Sequence, residues 1–304
     1  MSQAKVVLIT GCSSGFGRLM AETLARKSYQ VFATMRAVKD RNSNAAQELR
    51  ALAERESLQM HMLELDFTDD ASVERAVENT HAQAGCIDVL INNAGYTFYG
   101  LAEAATLEQF KRIMDTNFFG VVRMNRAVLP HMRRQGSGLL VHISSGAGRM
   151  GSPGLGLYSA SKFALEALAE AYHYELASQG IDSVIVEPGA YATAISEKRE
   201  YAADESRASA YGSANEIPKR LSAALNSWRA NPQEVVDSVV RIIEIPASER
   251  SLRLTVGIGG AGANGFAGLN YISEQMMKDF LTTIGVAPLV TPRGKGPRPE
   301  ESES

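Results

Sequence analysis

The stretch Thr10-Gly11-Cys12-Ser13-Ser14-Gly15-Phe16-Gly17 follows the apolar run at residues 6–9 and precedes a helical pattern that begins at Arg18. Glycines between a strand and a helix permit a tight turn and a close approach to a ligand. The free N–H groups of the helix start favour an anion such as a pyrophosphate. The spacing GxxxGxG matches neither GxGxxG nor GxxxxGK[ST]. The stretch therefore indicates a nucleotide site, with a glycine-rich turn that serves only helix–strand packing as the alternative.

Short β-branched runs alternate with helical patterns along most of the chain. The predicted strands span residues 6–9, 30–35, 59–65, 89–91, 139–143, 183–186 and 252–256. The predicted helices span residues 18–27, 45–56, 71–84, 107–132, 158–178 and 232–245. This alternation requires crossover connections, which give parallel strands with helices on both faces of the sheet. We therefore predict an α/β fold with a single doubly wound parallel sheet of seven strands.

Two stretches interrupt this pattern. Residues 190–228 are charged and weakly periodic, and we interpret them as an inserted helical lid. Residues 289–304, with the sequence TPRGKGPRPEESES from Thr291 onward, are rich in Pro, Gly and charge, and this composition predicts a disordered tail. The remaining organisation predicts one domain over residues 1–288.

The composition excludes several classes of partner. The 31 Lys and Arg residues against 34 Asp and Glu residues give a net charge of -3, so nucleic acid is not an expected partner. Apolar runs are too short for a membrane span, which needs about 18 residues or more. The two cysteines, Cys12 and Cys86, form neither a metal-ligand cluster nor a disulfide framework, which predicts a reducing, cytoplasmic location and no metal.

A tyrosine and a lysine four residues apart, Tyr158 and Lys162, are expected on one face of a helix. A nearby ammonium stabilises a phenolate and lowers the tyrosine pKa, which suits proton transfer to or from a carbonyl oxygen. YxxxK is common by chance, and a solvated helix pair is the alternative for these two residues alone.

The ordered motifs resemble those of the short-chain dehydrogenase/reductase family, whose first turn reads TGxxxGxG. Its other motifs have counterparts at Asp66, at Asn92-Asn93-Ala94-Gly95, at Asn117, at Ser145 and in the PGxxxT segment that ends at Thr193. The resemblance covers the whole predicted sheet and implies a Rossmann-like NAD(P)-binding domain. Phe16 replaces the usual aliphatic residue, and Ala190-Tyr191 replaces a commoner small or aliphatic pair. These two departures predict a narrower nicotinamide end of the site.

The resemblance also implies the roles of individual residues. Ser145, 13 residues before Tyr158, would position the substrate, and its neighbour Ser144 would face the other way. Asn117 would open its helix and hold a water that links the lysine to solvent, although an exposed Asn bonded to its own backbone is the plain alternative. The catalytic residues are then Asn117, Ser145, Tyr158 and Lys162. The cofactor-binding residues are Gly11, Ser14, Gly15, Phe16, Gly17, Arg36, Asp66, Asn93, Tyr158, Lys162 and Thr193.

In the family, the residue that corresponds to Asp66 contacts the adenine, and the segment of Asn93 passes the adenine ribose. The residue that corresponds to Thr193 contacts the nicotinamide carboxamide. Asp66 can equally be a helix cap or a turn residue. The second strand ends in Arg36 with no acidic residue at its tip. NAD usually meets a carboxylate there, whereas an arginine can clamp the 2′-phosphate of NADP. We therefore predict NADP(H) as the cofactor, with NAD(H) as the alternative. If Arg36 does not bind the phosphate, it would stack on the adenine or face water.

The implied reaction is hydride transfer between the nicotinamide and a carbonyl or alcohol carbon, with Tyr158 handling the proton on oxygen. The segments TGCSSGFG, VFATMR and NAGY look most like the hydroxysteroid and retinol dehydrogenase branch. That likeness implies a small hydrophobic carbonyl or alcohol substrate. The alternatives are an NAD-dependent alcohol dehydrogenase of the same fold and a scaffold that binds NADP without turnover. Family members pair the helices predicted at residues 107–132 and 158–178, which implies a homodimer or homotetramer.

Overall fold

The computed structural model describes residues 4–191, 199–227, 230–257 and 261–290. Thr193, the residues from Thr291 onward and part of the predicted lid lie outside the described residues. Among the helices of the described ranges, none combines the length and the apolar character needed to cross a membrane.

The central element is a parallel sheet of seven strands. Its strands, in chain order, are β1 Val6–Ile9, β2 Gln30–Met35, β3 Met60–Glu64, β4 Val89–Asn92, β6 Gly138–Ile143, β7 Ile181–Pro188 and β9 Arg253–Val256. Their order across the sheet is β3-β2-β1-β4-β6-β7-β9. The predicted doubly wound fold and all seven predicted strands are confirmed.

Helices cover both faces of this sheet. The α-helices of the described residues are α1 Gly15–Arg26, α2 Ser43–Glu56, α3 Asp70–Ala84, α4 Leu107–Met114, α5 Gly120–Gln135, α6 Gly156–Ala177, α7 Glu205–Ser209, α8 Ile217–Ser227, α9 Gln233–Glu244 and α10 Ala261–Thr283. Helices α1, α2 and α9 pack on one face, and α3, α5 and α6 pack on the other. Alternate residues of β1 supply the two cores, since Val7 and Ile9 join the first cluster and Val6 and Leu8 the second.

Three elements differ from the predictions. The helix expected at residues 107–132 is divided by a π turn at Asp115–Phe119 and runs on to Gln135. The lid is not wholly helical, because β8 Arg199–Tyr201 pairs in parallel with β5 Thr97–Tyr99 in a second, two-stranded sheet. Helix α10 was not predicted, and among its described side chains only Phe266 and Asn270 are buried.

The topology fixes the position of the site. The chain moves outward from β1 to β3 and then returns to place β4 on the other side of β1. At such a switch point the loops leave the carboxyl ends of the strands in opposite directions and open a crevice. The glycine-rich turn follows β1, and Asn93 follows β4, so both lie at this crevice.

Candidate active site

The turn between β1 and α1 leaves little room for side chains. Gly15 has a φ of +60°, in the left-handed region that glycine tolerates best. A β-carbon on Gly17 would lie 2.4 Å from the carbonyl oxygen of Gly11 and 2.5 Å from Nδ2 of Asn93. Ser14 is the N-cap residue of α1, yet its side chain makes no capping hydrogen bond. The turn therefore packs tightly on the end of β4, and the Ser14 hydroxyl can serve a ligand.

A cavity of about 650 Å³ opens beside this turn. Six predicted cofactor residues line it: Gly11, Ser14, Gly15, Phe16, Arg36 and Asn93. Gly17 lies beneath the turn, and Asp66 lies between the lining residues Leu65 and Phe67. Ligand sites commonly have volumes of about 300–1,000 Å³, and the first residues of α1 form part of this wall. The residues present therefore fit a nicotinamide dinucleotide.

The tip of β2 carries positive charge into this cavity. Arg36 and Arg41 are both exposed and both line the cavity. Asn42 Nδ2 donates to the carbonyl oxygen of Arg36 over 2.6 Å, which fixes the loop between the two arginines. Our sequence reasoning missed Arg41, although its charge in the loop after Arg36 was a usable signal. Two guanidinium groups at this position suit a phosphate better than a ribose hydroxyl.

Asp66 is engaged by its own turn. Its Oδ1 accepts hydrogen bonds from the N–H and the hydroxyl of Thr68, at 3.0 Å and 2.7 Å. Burial opposes ionisation of this carboxyl, but the bonds from Thr68 and the charges of Arg36 and Arg41 hold its pKa below the usual range. The helix cap is Asp69, whose side chain accepts from the N–H of Ser72. Asp66 therefore matches the turn-residue alternative in this structure.

The side chain of Asn93 braces the cavity wall. Its Nδ2 donates to the carbonyl oxygens of Thr10 and Gly11, over 2.8 Å and 3.3 Å. In return, the Thr10 hydroxyl accepts from the N–H groups of Asn93 and Ala94, each over 3.0 Å. Thr10 directly precedes the glycine turn, and its bracing role was missed in the sequence. These bonds lock the end of β1 to the end of β4.

The predicted acid/base pair lies on α6, one turn apart. The side chains of Tyr158 and Lys162 are both buried, and Nζ of Lys162 is 5.9 Å from the centre of the tyrosine ring. Nζ also donates to the carbonyl oxygen of Ile143, the last residue of β6, over 2.8 Å. A solvated helix pair, the alternative for this motif, is therefore incorrect.

The pKa values of the pair differ from our expectation that the ammonium would lower the tyrosine pKa. Burial raises the pKa of Tyr158 to about 12, although the hydroxyl of Ser145 acts in the opposite direction. Burial lowers the pKa of Lys162 to about 8, and the carboxylate of Glu166 opposes this change. The expectation was wrong because loss of hydration penalises the phenolate, and the group that favours the phenolate is the hydroxyl of Ser145 and not the ammonium of Lys162. At neutral pH Tyr158 is a protonated donor beside an ammonium.

Ser144 and Ser145 face different surroundings at the end of β6. Ser145 Oγ accepts from the N–H of Ala147 over 3.2 Å, and its hydroxyl is the group that influences Tyr158. Ser144 is buried on the other side, where a β-carbon on Gly148 would lie 2.7 Å from its Oγ. Ser145 is thus the serine on the side of the tyrosine.

Asn117 lies inside the π turn and is buried. Its Nδ2 donates to the carbonyl oxygen of Tyr96 over 3.0 Å and to Oγ of Ser161 over 3.1 Å. A β-carbon on Gly95 would lie 3.0 Å from Asn117 Oδ1 and 3.9 Å from Lys162 Nζ. An exposed Asn bonded to its own backbone is therefore incorrect, and the opened helix brings the amide close to the lysine.

The two unusual residues of the nicotinamide end contact each other. The rings of Phe16 and Tyr191 meet edge to face with centroids 5.5 Å apart, and the Tyr191 hydroxyl donates to Glu234 over 3.2 Å. Tyr191 is therefore a packing residue in the described structure. Thr193, the predicted carboxamide contact, lies outside the described residues.

Apolar side chains surround the tyrosine on its other side. Tyr158 packs in a buried cluster with Phe98, Tyr99 and Leu155. Leu221 and Leu225 of the lid helix α8 pack against the same cluster. The described residues hold no group of three or more His, Cys, Asp or Glu side chains able to bind a metal ion. The fold and this arrangement define an α/β protein of the dinucleotide-binding class with a buried tyrosine–lysine pair next to an apolar cluster.

Comparison with known proteins identifies the family. The family model for short chain dehydrogenases matches residues 5–204, and the chain belongs to this family. A 3-ketodihydrosphingosine reductase from Bacteroides thetaiotaomicron is 40% identical over 197 residues, which are 65% of this chain and 68% of that protein. Human retinol dehydrogenase 8 is 35% identical over 257 residues, which are 79% of this chain and 78% of that protein.

Solved structures of the family have the same fold. A short-chain dehydrogenase from Streptomyces avermitilis has a TM-score of 0.75 and 30% identity, covering 93% of this chain and 99% of its own. An actinorhodin polyketide ketoreductase with NADPH has a TM-score of 0.69 and 27% identity, covering 84% and 97%. A 3-ketoacyl-(acyl-carrier-protein) reductase from Brucella melitensis with NADH has a TM-score of 0.68 and 26% identity, covering 84% and 97%. Members of the family thus bind either nicotinamide dinucleotide.

Proposed function

We propose that this protein is an NADP(H)-dependent oxidoreductase that interconverts a ketone or aldehyde and an alcohol, with Tyr158 as the general acid/base. The observation that carries the proposal is the placement of Tyr158, which is buried on α6 beside Lys162, with Ser145 and Asn117 next to them. A neutral phenol can donate a proton to a carbonyl oxygen, so the described state suits reduction.

Each catalytic side chain has a distinct task in this mechanism. Tyr158 donates its hydroxyl proton to the substrate oxygen, and the Ser145 hydroxyl holds that oxygen by a hydrogen bond. Lys162, held at Ile143, stabilises the phenolate that remains. Asn117 keeps the helix open near Lys162, where a water can return the proton. The bound cofactor supplies or accepts the hydride at the carbonyl carbon.

NADP(H) rather than NAD(H) is proposed because the tip of β2 is cationic. Arg36 and Arg41 line the cavity and both act on Asp66, so the two guanidinium groups converge on one region. The carboxyl group of Asp66, which we predicted at the cofactor site, already accepts hydrogen bonds from Thr68. Ser14, Gly15 and Phe16 would hold the pyrophosphate at the start of α1.

The proposed substrate is a hydrophobic carbonyl compound or alcohol. The cluster around Tyr158 is formed by aromatic and aliphatic side chains, and the lid contributes Leu221 and Leu225. Two of the similar proteins are named for long apolar molecules. They are a 3-ketodihydrosphingosine reductase and a retinol dehydrogenase. A cytoplasmic location stays a prediction from cysteine usage.

A homodimer or homotetramer formed through α4, α5 and α6 is also proposed. Leu107 at the start of α4 is 71% exposed, Phe119 at the end of the π turn is 48% exposed, and Phe163 on α6 is 44% exposed. Large apolar side chains grouped on helices often mark contacts between protein surfaces. A twofold axis would place the same helices of two copies against each other.

The decisive experiment is a screen of hydrophobic ketones and aldehydes with NADPH, followed by the absorbance of the reduced cofactor. Wild-type protein should oxidise NADPH only when a carbonyl compound is present, and the alcohol should appear in equal amount. Tyr158→Phe is the matched control because it keeps the ring and loses the proton. Cofactor binding without turnover across the screen would favour a scaffold over an enzyme.

A further inference from the structure

A buried cluster of charged side chains lies behind the proposed active site, and the mechanism above uses one of its members. The carboxylates are Glu166, Glu170 and Glu187, and the cations within 4 Å of them are Arg149 and Arg253. Lys162 adds a third cation one helical turn before Glu166, and the charge of Glu166 acts on it. Three negative and three positive groups balance one another. Buried charges are costly unless they are paired, so the position of each charge in such a cluster affects its neighbours.

Arg253 on β9 is the centre of the cluster, and its side chain is fully buried. Its Nε lies 3.0 Å from Oε2 of Glu166 and 3.7 Å from Oε1 of Glu187. Its Nη2 lies 2.7 Å from Oε2 of Glu170. One guanidinium therefore fixes three carboxylates that come from α6 and β7.

Glu187 has its own set of partners. Its Oε2 accepts from the hydroxyl of Thr255 over 2.6 Å and from Nδ2 of Asn270 over 2.9 Å. Arg149 lies 3.8 Å from its Oε1. These contacts join Glu187 to β9 and α10, so this carboxylate has a structural task away from Lys162.

Glu166 differs from the other two carboxylates because it follows Lys162 by one helical turn. Both side chains are buried, with exposures of 3% and 5%. A β-carbon on Gly148 would lie 2.9 Å from Cγ of Glu166 and 2.7 Å from Oγ of Ser144. Glu166 thus fills the space between the turn of α6 that carries Lys162 and the segment after β6 that carries Ser145.

We propose that Glu166 is a positioning residue for the reaction: its carboxylate, fixed by Arg253 one helical turn from Lys162, keeps the lysine in its ammonium form behind Tyr158. This inference rests on the proposed function, because it assigns a task to the same site. Glu166 does not touch substrate or cofactor in this role. It acts through the lysine.

The surroundings of Lys162 support this role. The titratable groups that face the lysine are Tyr158 and Glu166 on α6 and His142 on β6, and the π turn contributes the uncharged Asn117. Burial, with a smaller effect from Lys162, lowers the pKa of His142 to about 3, so that ring is neutral. Among the described residues, Glu166 is therefore the carboxylate that offsets the cost of burying the ammonium.

The charge of Glu166 is itself maintained by its neighbours. Burial and the negative charge of Glu187 raise the pKa of Glu166, whereas Ser144 and Arg253 act in the opposite direction. Arg149 and Glu170 lie farther out in the cluster, around Glu187 and Arg253. A neutral Glu166 would give no such support to the lysine, which makes the proposal testable by removing the charge alone.

The test compares Glu166→Gln with Glu166→Asp. The first keeps the shape and removes the charge, whereas the second keeps the charge and removes one methylene. In protein labelled at lysine, NMR of the ε-CH₂ groups gives the pKa of Lys162, with Lys162→Met assigning the signal. We expect Glu166→Gln to lower this pKa by about one unit, because a nearby negative charge is lost. Glu166→Asp should restore most of the wild-type value.

The pH profile of carbonyl reduction provides the second readout. Since the pKa of Lys162 is about 8, this side chain is protonated in half of the protein molecules at pH 8. A decrease of one unit leaves about a tenth protonated, so kcat at pH 8 should fall about fivefold while kcat at pH 6 changes less than about twofold. Glu170→Gln is the matched control, since it removes another carboxylate from Arg253 and should leave the Lys162 pKa within about 0.3 unit.

The outcomes separate this inference from the proposed function. An unchanged Lys162 titration in folded Glu166→Gln, or equal changes in the Gln and Asp variants, would overturn the role of Glu166. Wild-type protein that reduces no carbonyl compound would overturn the proposed function, and the NMR titration would still report on the Glu166–Lys162 pair. Thermal unfolding of each variant checks that it is folded, and the Asp variant keeps the test valid if Gln fails to fold.

Discussion

Asn117 and Tyr96 are joined by two reciprocal hydrogen bonds. The amide Nδ2 of Asn117 donates to the carbonyl oxygen of Tyr96 over 3.0 Å, and the N–H of Tyr96 donates to Oδ1 of Asn117 over 3.1 Å. A carboxamide can form this pair because it contains both a donor and an acceptor. The pair links the π turn to the segment after β4, so the opened helix and the cavity wall are held by one side chain.

Replacement of Asn117 should therefore damage stability as well as catalysis. Asn117→Ala leaves the backbone N–H and C=O of Tyr96 without these partners, and unfolding by urea should show a loss of about 2 kcal/mol. Turnover should fall with it, because the wall beside Lys162 loses its anchor. Ser161→Ala removes one other contact of Asn117 and should cost less. Full stability of the Asn117 variant would mean that the Tyr96 backbone finds other partners.

The proton donor is tested by Tyr158→Phe. The ring remains in its apolar cluster, so folding and NADPH affinity should change little, while kcat should fall by about 10²–10⁴ or more. Calorimetric titration with NADPH measures the affinity, and cofactor absorbance measures kcat. Ser145→Ala should also lower mainly kcat, through loss of one hydrogen bond to the reacting oxygen. Full activity in Tyr158→Phe would falsify the proposed acid.

Cofactor preference is tested at the tip of β2. Arg36→Ala and Arg41→Ala should each weaken NADPH binding about 10-fold to 100-fold, as expected for loss of a charge-assisted bond to phosphate. NADH lacks that phosphate, so its affinity should change far less. Met35→Asp should shift preference toward NADH by repelling the phosphate. Equal losses for the two cofactors would remove the arginines from the phosphate site.

The parts of the fold that follow from local sequence periodicity were predictable. The runs at Val6–Ile9 and Gln30–Met35 are apolar and bounded by turn residues, and their predicted bounds match the structure. Helix α10 was missed although Leu269, Ile272, Met276 and Phe280 recur at helical spacing; these side chains are exposed, so burial in the core does not account for the pattern. The strand Arg199–Tyr201 could not be found locally, since it is defined by pairing with Thr97–Tyr99 about 100 residues away.

The candidate site was predictable as far as motif spacing reaches. Tyr158 and Lys162 were found by their spacing and Asn117 by the family resemblance, and the structure brings the three together. The pKa of Tyr158 was not predictable, because it depends on burial and not on the nearest charge. Arg253 was missed for a similar reason: its partners are separated from it by more than 60 residues of sequence.

The proposed assembly is tested on the surface of the π turn. Phe119 is 48% exposed, and Phe119→Glu would bury a charge in any contact formed by this helix. Light scattering after gel filtration should show oligomers of the wild type and monomers of the variant. Tyr271→Glu, at a 65% exposed site on α10, is the control and should keep the wild-type mass. The opposite pattern would move the contact to α10.

The buried ammonium of Lys162 should make stability depend on pH. Its pKa falls from the ordinary 10.5 to about 8 in the folded protein, because burial disfavours the charged form. Between these values the unfolded chain binds the proton and the folded protein does not, so the stability of the folded protein rises as pH rises. The difference of 2.5 pKa units lowers the free energy of unfolding by about 3 kcal/mol below pH 8. This loss of stability disappears above pH 10.5, where the lysine is neutral in both states.

Lys162→Met removes this dependence and keeps an apolar side chain of similar length. Near pH 7 the variant should therefore unfold at a higher urea concentration than the wild type, although it should have lost turnover. The gap between the two proteins should narrow by about 3 kcal/mol as the pH is raised from 7 to 10.5. Urea unfolding at several pH values measures both quantities. A constant gap would mean that Lys162 keeps its ordinary pKa when folded, and the ammonium would then be better solvated or better paired than its burial implies.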